Sequence, residues 1–352
     1  MIRLLYILGK SVIWMDTPTR CGAENMPTKG KTIGIILALI IIIGVTGVIV
    51  WQQFYQPEKA IAGPMHACSV IDDVGRNVTI TNYPPGRIVS LLPSCTEILF
   101  ALGLGDKVVG VDETSDYPPE VQERVKAANL TTVGKYSLIN VELVVGLEPD
   151  LILASAVSVQ GQIVESLEEL GQPVMVLNPK KFDGVLADIS LVGKATGQID
   201  EAEALVADMQ ERAQEIADKT QGALRPRVYV EYYFNGGYWS FASGSYADEL
   251  IYMAGGVNVF SGVAGGHIST STEEVLMTNP EIIIISKGTM AAACGLTPET
   301  IKERPGWNEI YAVQNDQIYE IDEPILALPI PRLIEGLEEL AKVIHPELFM
   351  ET

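Results

Sequence analysis

The sequence predicts an α/β fold in which two Rossmann-like lobes with parallel sheets are joined by one long α-helix and preceded by an N-terminal transmembrane helix. The first observation behind this is a pattern that occurs twice. Glu142 stands seven residues before Pro149-Asp150, which opens the apolar run 151–154, and Glu273 stands seven residues before Pro280-Glu281, which opens the apolar run 282–285. Upstream of each copy a basic residue leads into a strand, a turn and a helix ending in small residues: Arg87, 88–91 and 96–103 in the first, Arg227, 228–230 and 246–255 in the second. Such self-similarity reads as two lobes of one plan with a cleft between them. The second observation is the amphipathic stretch 199–220, and the third is the uncharged stretch 33–51.

The 19 residues 33–51 carry no charge, enough at ~1.5 Å per residue to cross a hydrocarbon core of roughly 30 Å. Five basic residues against Asp16 and Glu24 precede them, so the positive-inside rule keeps 1–32 cytoplasmic and puts everything after 51 outside. A cleaved signal peptide is the alternative, but the run is longer than a usual h-region and no small-x-small site closely follows it. Met26 opens a compact leader of its own, which makes residues 1–25 readable as an upstream mis-start. Of 24 basic and 45 acidic residues in all, 19 and 43 lie beyond the apolar run, a net of −24. That surface argues against a nucleic-acid partner and suits a solvated extracellular domain.

Residues 52–69 read as a polar linker containing Pro and Gly. The N-terminal lobe, 70–195, opens with a hairpin at 72–80. It then alternates strand, helix 96–102, strand 108–111, helix, strand 150–154, helix 160–170 and strand 173–177, as a parallel sheet covered by helices does. In 199–220, Ala202, Leu205, Val206, Met209, Ala213, Ile216 and Ala217 fall on one face at spacings of three and four. A helix of that length spans ~33 Å and makes the connector, 196–223. The C-terminal lobe, 224–352, reads as strand 227–233, a Gly/aromatic loop 235–244, helix 246–254, a Gly-rich loop 262–266, helix 272–277 and strand 281–286. Helix 298–304, strand 317–321 and an amphipathic helix 332–344 follow, the last ending at His345-Pro346.

No GxSxG, P-loop or HExxH occurs, and His66, His267 and His345 are scattered, so the chain is read as non-enzymatic, with no intrinsic cofactor or metal. Cys21, Cys68, Cys95 and Cys294 have no ligand spacing. What remains is a ligand crevice at the carboxyl ends of the strands. Loops there carry Ser94, Tyr117, Tyr136, Trp239, Phe241 and His267, and such rings, with polar groups to fix orientation, suit a large flat or apolar ligand. Each ring alone also reads as local packing under a loop. Glu142 and Glu273 singly read as helix N-terminal carboxylates favourable to the macrodipole. Matched in two lobes, they fit a two-point docking to paired arginines of a dimeric partner.

Several strings, taken in order over residues 70–350, resemble the metal-chelate class of ABC-importer substrate-binding proteins, which take up cobalamin, ferric siderophores or haem. They are RIVSLLPSCTEILFALGLGDKVVGV (87–111), SDYPPE (115–120), NVELVVGLEPDLILA (140–154), MAGGVN (253–258), STEEVLMTNPEIII (271–284), RPGW (304–307), Pro331-Arg332 and HPELF (345–349). The resemblance implies two lobes on one long helix, and docking of Glu142 and Glu273 on an ABC permease dimer served by ATPase subunits. SDYPPE is most similar to the cobalamin-binding branch, whose ligand aromatics match Tyr136 and Phe241, and Arg332 matches a basic residue near the cleft. Ser155 and His267 stand where that branch has tryptophans, so an iron chelate using Tyr136, His267 and Arg332 stays open beside a corrinoid.

The expectation is therefore a single-pass, membrane-tethered extracellular protein that binds a corrinoid and delivers it to a permease. Its rivals are the same fold binding a ferric siderophore or haem, an enzyme or metal-cluster scaffold that would have to use Cys95, and a surface interaction module glycosylated at Asn77 or Asn129.

Overall fold

The computed structural model describes residues 66–156 and 160–349, together with a short antiparallel pair, Ile7–Leu8 with Ser11–Val12. The expected membrane segment 33–51 lies outside the described residues, and among these no helix is long and apolar enough to cross a membrane. Both main sheets belong to one compact unit, Pro64–Thr352.

Continuous apolar runs make the first sheet. Its strands Val174–Leu177, Leu151–Ser155, Ile88–Ser90, Val108–Val111 and Thr131–Thr132 lie side by side in that order, all parallel. Leu151, Ile152, Leu153 and Ala154 are fully buried, as strands covered on both faces must be. The hairpin His66–Ile71 with Asn77–Tyr83 precedes it. The second sheet corrects the sequence reading, because it is mixed: four of its six strands run parallel, and Tyr238–Phe241 pairs antiparallel with both of its neighbours. Arg227–Phe234, Ile282–Lys287 and Ile318–Asp322 run parallel, as does Val257–Asn258 beside the first of them. Tyr238–Phe241, expected in a loop, is an antiparallel strand between Arg227–Phe234 and His267–Thr270. The reason is Asn235-Gly236-Gly237: Gly236 takes φ 93, and the chain turns back on itself within three residues.

The repeated pattern has a physical meaning. In the first copy Arg87 donates from Nε and Nη2 to the Leu147 carbonyl at 2.8 and 2.6 Å, while Asp150 accepts from the backbone of Gly86 and Arg87 at 2.8 and 2.9 Å. In the second, Arg227 donates from Nε and Nη2 to the Asn279 carbonyl at 3.1 and 2.9 Å, and Glu281 accepts from the Arg227 backbone at 2.9 Å. Each basic residue thus clamps the end of the helix that carries the repeated Glu, and each acid clamps the neighbouring strand. Those helices, Val141–Gly146 and Thr272–Thr278, are capped by Asn140 and Ser271. Each is followed by a left-handed residue, Glu148 at φ 47 and Asn279 at φ 42.

The connecting helix is Ile199–Thr220, as its periodicity predicts. The helix before it, Phe182–Thr196, is absent from the sequence reading. Gly184 and Gly193 weaken its helical signal. Gly193 is required there by a close crossing: a Cβ would stand 2.4 Å from the Ala202 Cβ and 2.7 Å from the Gln198 carbonyl oxygen. On the same helix Asp188 is buried and its Oδ2 has no hydrogen-bond partner. Burial, then the adjacent Asp73 carboxyl, pushes its pKa up to about 9.

Two predictions follow from this frame. Asn tolerates the left-handed region better than Glu, so Glu148→Asn, which copies Asn279, is expected to raise stability by about 0.5–1 kcal/mol in urea titration; a loss would show that the two turns are not equivalent. Because the folded state favours neutral Asp188, this group's contribution is full below about pH 4 and is lost as pH rises toward 9. Asp188→Asn should therefore exceed the wild type in stability by at least about 1 kcal/mol at pH 8, with the gap closing toward pH 4. A gap that does not change with pH would contradict the assignment.

Candidate functional site

On the first sheet, the loops that leave the carboxyl ends of the strands are tied to one another. Buried Gln160 donates from Nε2 to the Leu91 carbonyl at 2.9 Å and to the Tyr136 carbonyl at 3.2 Å, and its Oε1 accepts from Ser155 N at 3.0 Å. One side chain thus holds three loops, and the sequence reading missed it because a lone Gln carries no pattern. Tyr136 sits at the tip of the hairpin Gly134–Lys135 with Leu138–Ile139 and is 43% exposed. Ser94 lies in the first turn of helix Pro93–Ala101 and is nearly covered. Tyr117 is placed by a buried polar chain in which Thr96 Oγ1 meets Ser90 Oγ and Ser115 Oγ at 2.8 Å each, and the Ser115 hydroxyl donates to Asp112. Its ring is 39% exposed.

On the second sheet the antiparallel register puts Trp239, Phe241 and His267 on one face, since Phe241 pairs with His267 and Trp239 with Ser269. Phe241 is not the exposed ring that the sequence reading expects: it is 1% exposed and stacks on Tyr232 at 4.7 Å between centroids. The outer layer is His267, whose Nδ1 lies 3.2 Å from the Tyr232 hydroxyl. Burial lowers the His267 pKa and, with the Glu323 carboxylate, pushes Tyr232 up to about 12. Both groups are therefore uncharged near neutral pH. Trp239 is half-buried and spends its indole N–H on Asn235 at 2.8 Å. Tyr232 was missed because strict alternation turns it away from Tyr233, and a register shift between Glu231 and Tyr233 breaks that alternation. Glu323 was missed too. It follows the edge strand Ile318–Asp322, and burial raises its pKa.

Arg332 joins the two halves. Its Nε and Nη2 donate to the two Glu97 carboxylate oxygens at 2.9 Å each, and its guanidinium carbon lies 3.6 Å over the Tyr117 ring. Glu97 and Tyr117 belong to the N-terminal half, whereas Arg332 begins the last long helix, Leu333–Ile344. A cavity of about 290 Å³ adjoins them, closed behind by Leu205, Met209 and Arg212 of the connecting helix. At another point Tyr246 donates to the Pro179 carbonyl at 2.8 Å and Glu249 accepts from Phe182 N at 2.7 Å. The structure therefore brings Tyr117 to Arg332 and gathers Phe241, His267 and Trp239. No contact ties Tyr136 or Ser94 to either group among the described residues.

Glu142 and Glu273 occupy the same place in their helices, the second residue of the first turn, and both are exposed. The order of exposed and buried positions over 141–149 is the same as over 272–280. Cys95, which the metal-cluster alternative needs, is buried at 1% beside the Ala154 carbonyl, and burial pushes its thiol pKa up. Among the described residues no group of three or more His, Cys, Asp or Glu is placed to hold a metal ion.

Comparison with known proteins agrees with this architecture. Residues 88–325 match the periplasmic binding protein family. A protein of Bacillus subtilis, the uncharacterized ABC transporter substrate-binding lipoprotein YvrC, is 32% identical over 80% of this chain and 87% of its own length. The vitamin B12-binding protein of Vibrio cholerae is 30% identical over 73% of this chain and 88% of its own. The crystal structure of the V. cholerae periplasmic vitamin B12 binding protein BtuF superposes with a TM-score of 0.63 at 28% identity, covering 76% of this chain and 99% of that one. With its two sheets, its helical connector and the family match over most of its length, the chain belongs to the periplasmic binding protein family.

Proposed function

We propose that this protein is the extracellular substrate-binding component of an ABC importer, which captures a metal chelate of the corrinoid type between its two sheets and delivers it to the permease dimer and its ATPase subunits. The observation that carries this reading is the contact of Arg332 from one half with Tyr117 from the other on the wall of the cavity that both line. Loops from the carboxyl ends of both sheets converge there, the place where such folds hold ligands. Trp239 and His267, backed by the buried rings of Phe241 and Tyr232, supply an accessible ring surface for a large flat ligand. The vitamin B12-binding relative favours a corrinoid. The protein does no chemistry on its cargo. Residues 70–195, 196–223 and 224–352 act as lobe, connector and lobe, and residues 33–51 tether them to the membrane; the lipoprotein relative supports tethering by a related route.

Glu142 and Glu273 are the docking points. Their carboxylates are exposed, and each is aimed by the clamp at the foot of its own helix. A second reading keeps the fold and replaces the corrinoid with a ferric siderophore or haem. It is favoured by His267, an imidazole held neutral at an exposed edge and able to ligate a metal.

Calorimetric titration of the full-length chain with a cobalamin, its base-free precursor, a ferric siderophore and haem tests the ligand. Saturable corrinoid binding is expected, and Tyr117→Ala should weaken it about tenfold. Uptake of an iron chelate alone would move the ligand to the second reading, and an unchanged affinity in Tyr117→Ala would remove this ring from the site. For docking, Glu142→Ala combined with Glu273→Ala should leave affinity within about twofold, as surface changes do, while abolishing uptake in reconstituted vesicles. Retained uptake would sink the docking role.

A further inference from the structure

The arginine that faces the cleft is already neutralised. Arg332 places two of its nitrogens on Glu97 at 2.9 Å each and lays its flat face on Tyr117 at 3.6 Å. The pair is largely covered, with side-chain exposures of 18% for Arg332 and 6% for Glu97. A bidentate pair formed within one chain has its orientation settled before any ligand arrives. An acidic group on a ligand would either displace Glu97 from the guanidinium or reach its remaining nitrogen and stand beside the like charge of the Glu97 carboxylate. An amide meets neither obstacle. The remaining nitrogen of Arg332, Nη1, has no partner among the described residues and can donate to an amide carbonyl. On the second sheet His267, with Nδ1 3.2 Å from the Tyr232 hydroxyl, adds a hydrogen-bonding group without charge at an exposed edge, and the net charge of −24 beyond residue 51 opposes anions at longer range.

We propose that Glu97 is a specificity-determining residue: by holding Arg332 it sets the cleft to accept a chelate rimmed with uncharged amides and to reject one rimmed with carboxylates. This inference rests on the corrinoid reading and narrows it. Cobalamin carries amides around its ring, whereas haem carries two propionates, so this one ion pair would separate cobalamin from haem. Glu97 acts through Arg332 and is a positioning residue, so its effect belongs to the ratio of two affinities rather than to overall folding.

The test uses the full-length chain as wild type, Glu97→Gln, and Glu97→Gln combined with Arg332→Gln, each checked for folding by circular dichroism. The probes are cyanocobalamin, cobalamin derivatives with ring amides hydrolysed to carboxylates, and haem. The wild type should prefer the amide form over the carboxylate form by about tenfold or more. Glu97→Gln should erase most of that preference by gaining about tenfold for the carboxylate form, with cyanocobalamin little changed. The double variant, which restores neutrality without a charged pair, should lose the gain; it also serves if the single variant, left with an uncompensated arginine, folds poorly. Corrinoid binding with equal affinity for both forms, or a ratio unmoved by Glu97→Gln, overturns this inference and leaves the corrinoid reading standing. A wild type that takes haem and no corrinoid overturns both.

Discussion

The arrangement of the molecule depends on a clamp made twice from an arginine and an acid at the foot of a parallel strand pair. Arg87 and Arg227 each satisfy a carbonyl where a short helix ends, and Asp150 and Glu281 each satisfy backbone N–H groups where the next strand begins. Helix ends leave carbonyls that have no partner within the helix. By meeting that need with a side chain, the clamp fixes the helix against the sheet, and with it the direction of Glu142 and Glu273. The matched exposure of 141–149 and 272–280 follows from the same geometry. The functional symmetry proposed for docking is thus a by-product of a structural necessity at the opposite end of the same helix.

Most of the sequence strings that carry the family resemblance are braces of this kind rather than ligand contacts. In RPGW, Arg304 makes a bidentate pair with buried Glu231 at 2.7 Å while lying over Tyr238 and Trp307, and Tyr229 donates to the same carboxylate. Removing one partner of such a pair leaves a buried charge, so neither residue can change alone. In MAGGVN, Asn258 donates to the Phe241 carbonyl and to Asp248, joining the antiparallel strand to the helix beside it. In HPELF, His345 Nε2 lies 3.2 Å from the Gly255 carbonyl oxygen, and a side chain at Gly255 would strike the imidazole. The resemblance therefore speaks to fold more directly than to cargo.

The same distinction explains what could be read in the sequence. The connecting helix has a solvent face and a buried face, so its periodicity shows its two ends, Ile199 and Thr220. Helix Phe182–Thr196 buries Phe182, Val185, Leu186, Ile189 and Val192 at spacings of three and four, but its two glycines lower its helical propensity, and the close crossing at Gly193 requires one of them. Tyr238–Phe241 looked like a loop because of the glycines before it and became a strand because those glycines permit a tight return. Of the candidate site residues, Tyr117 and Arg332 do meet, at a distance of 215 positions in the chain that no local pattern spans. Phe241 supports the site from beneath rather than lining it. Gln160, Tyr232, Glu323 and Glu97 had no sequence signal of their own, because each acts by its place in three dimensions.

The two halves touch at the Glu97–Arg332 pair and at the bonds from Tyr246 and Glu249, and the connecting helix runs behind the cavity. A stiff helix with two further points of contact restricts wide opening of one half against the other. The loops that line the crevice are held by Gln160 on one side and by the Glu231–Arg304 pair beneath the hairpin on the other. Such a site binds with little ordering cost, and discrimination cannot come from a large closure around the correct ligand. It has to reside in side chains already in place at the mouth. That requirement is what would give the ion pair proposed above its leverage: in a frame that adapts little, the prior pairing of one fixed guanidinium would set which rim chemistry the cleft accepts.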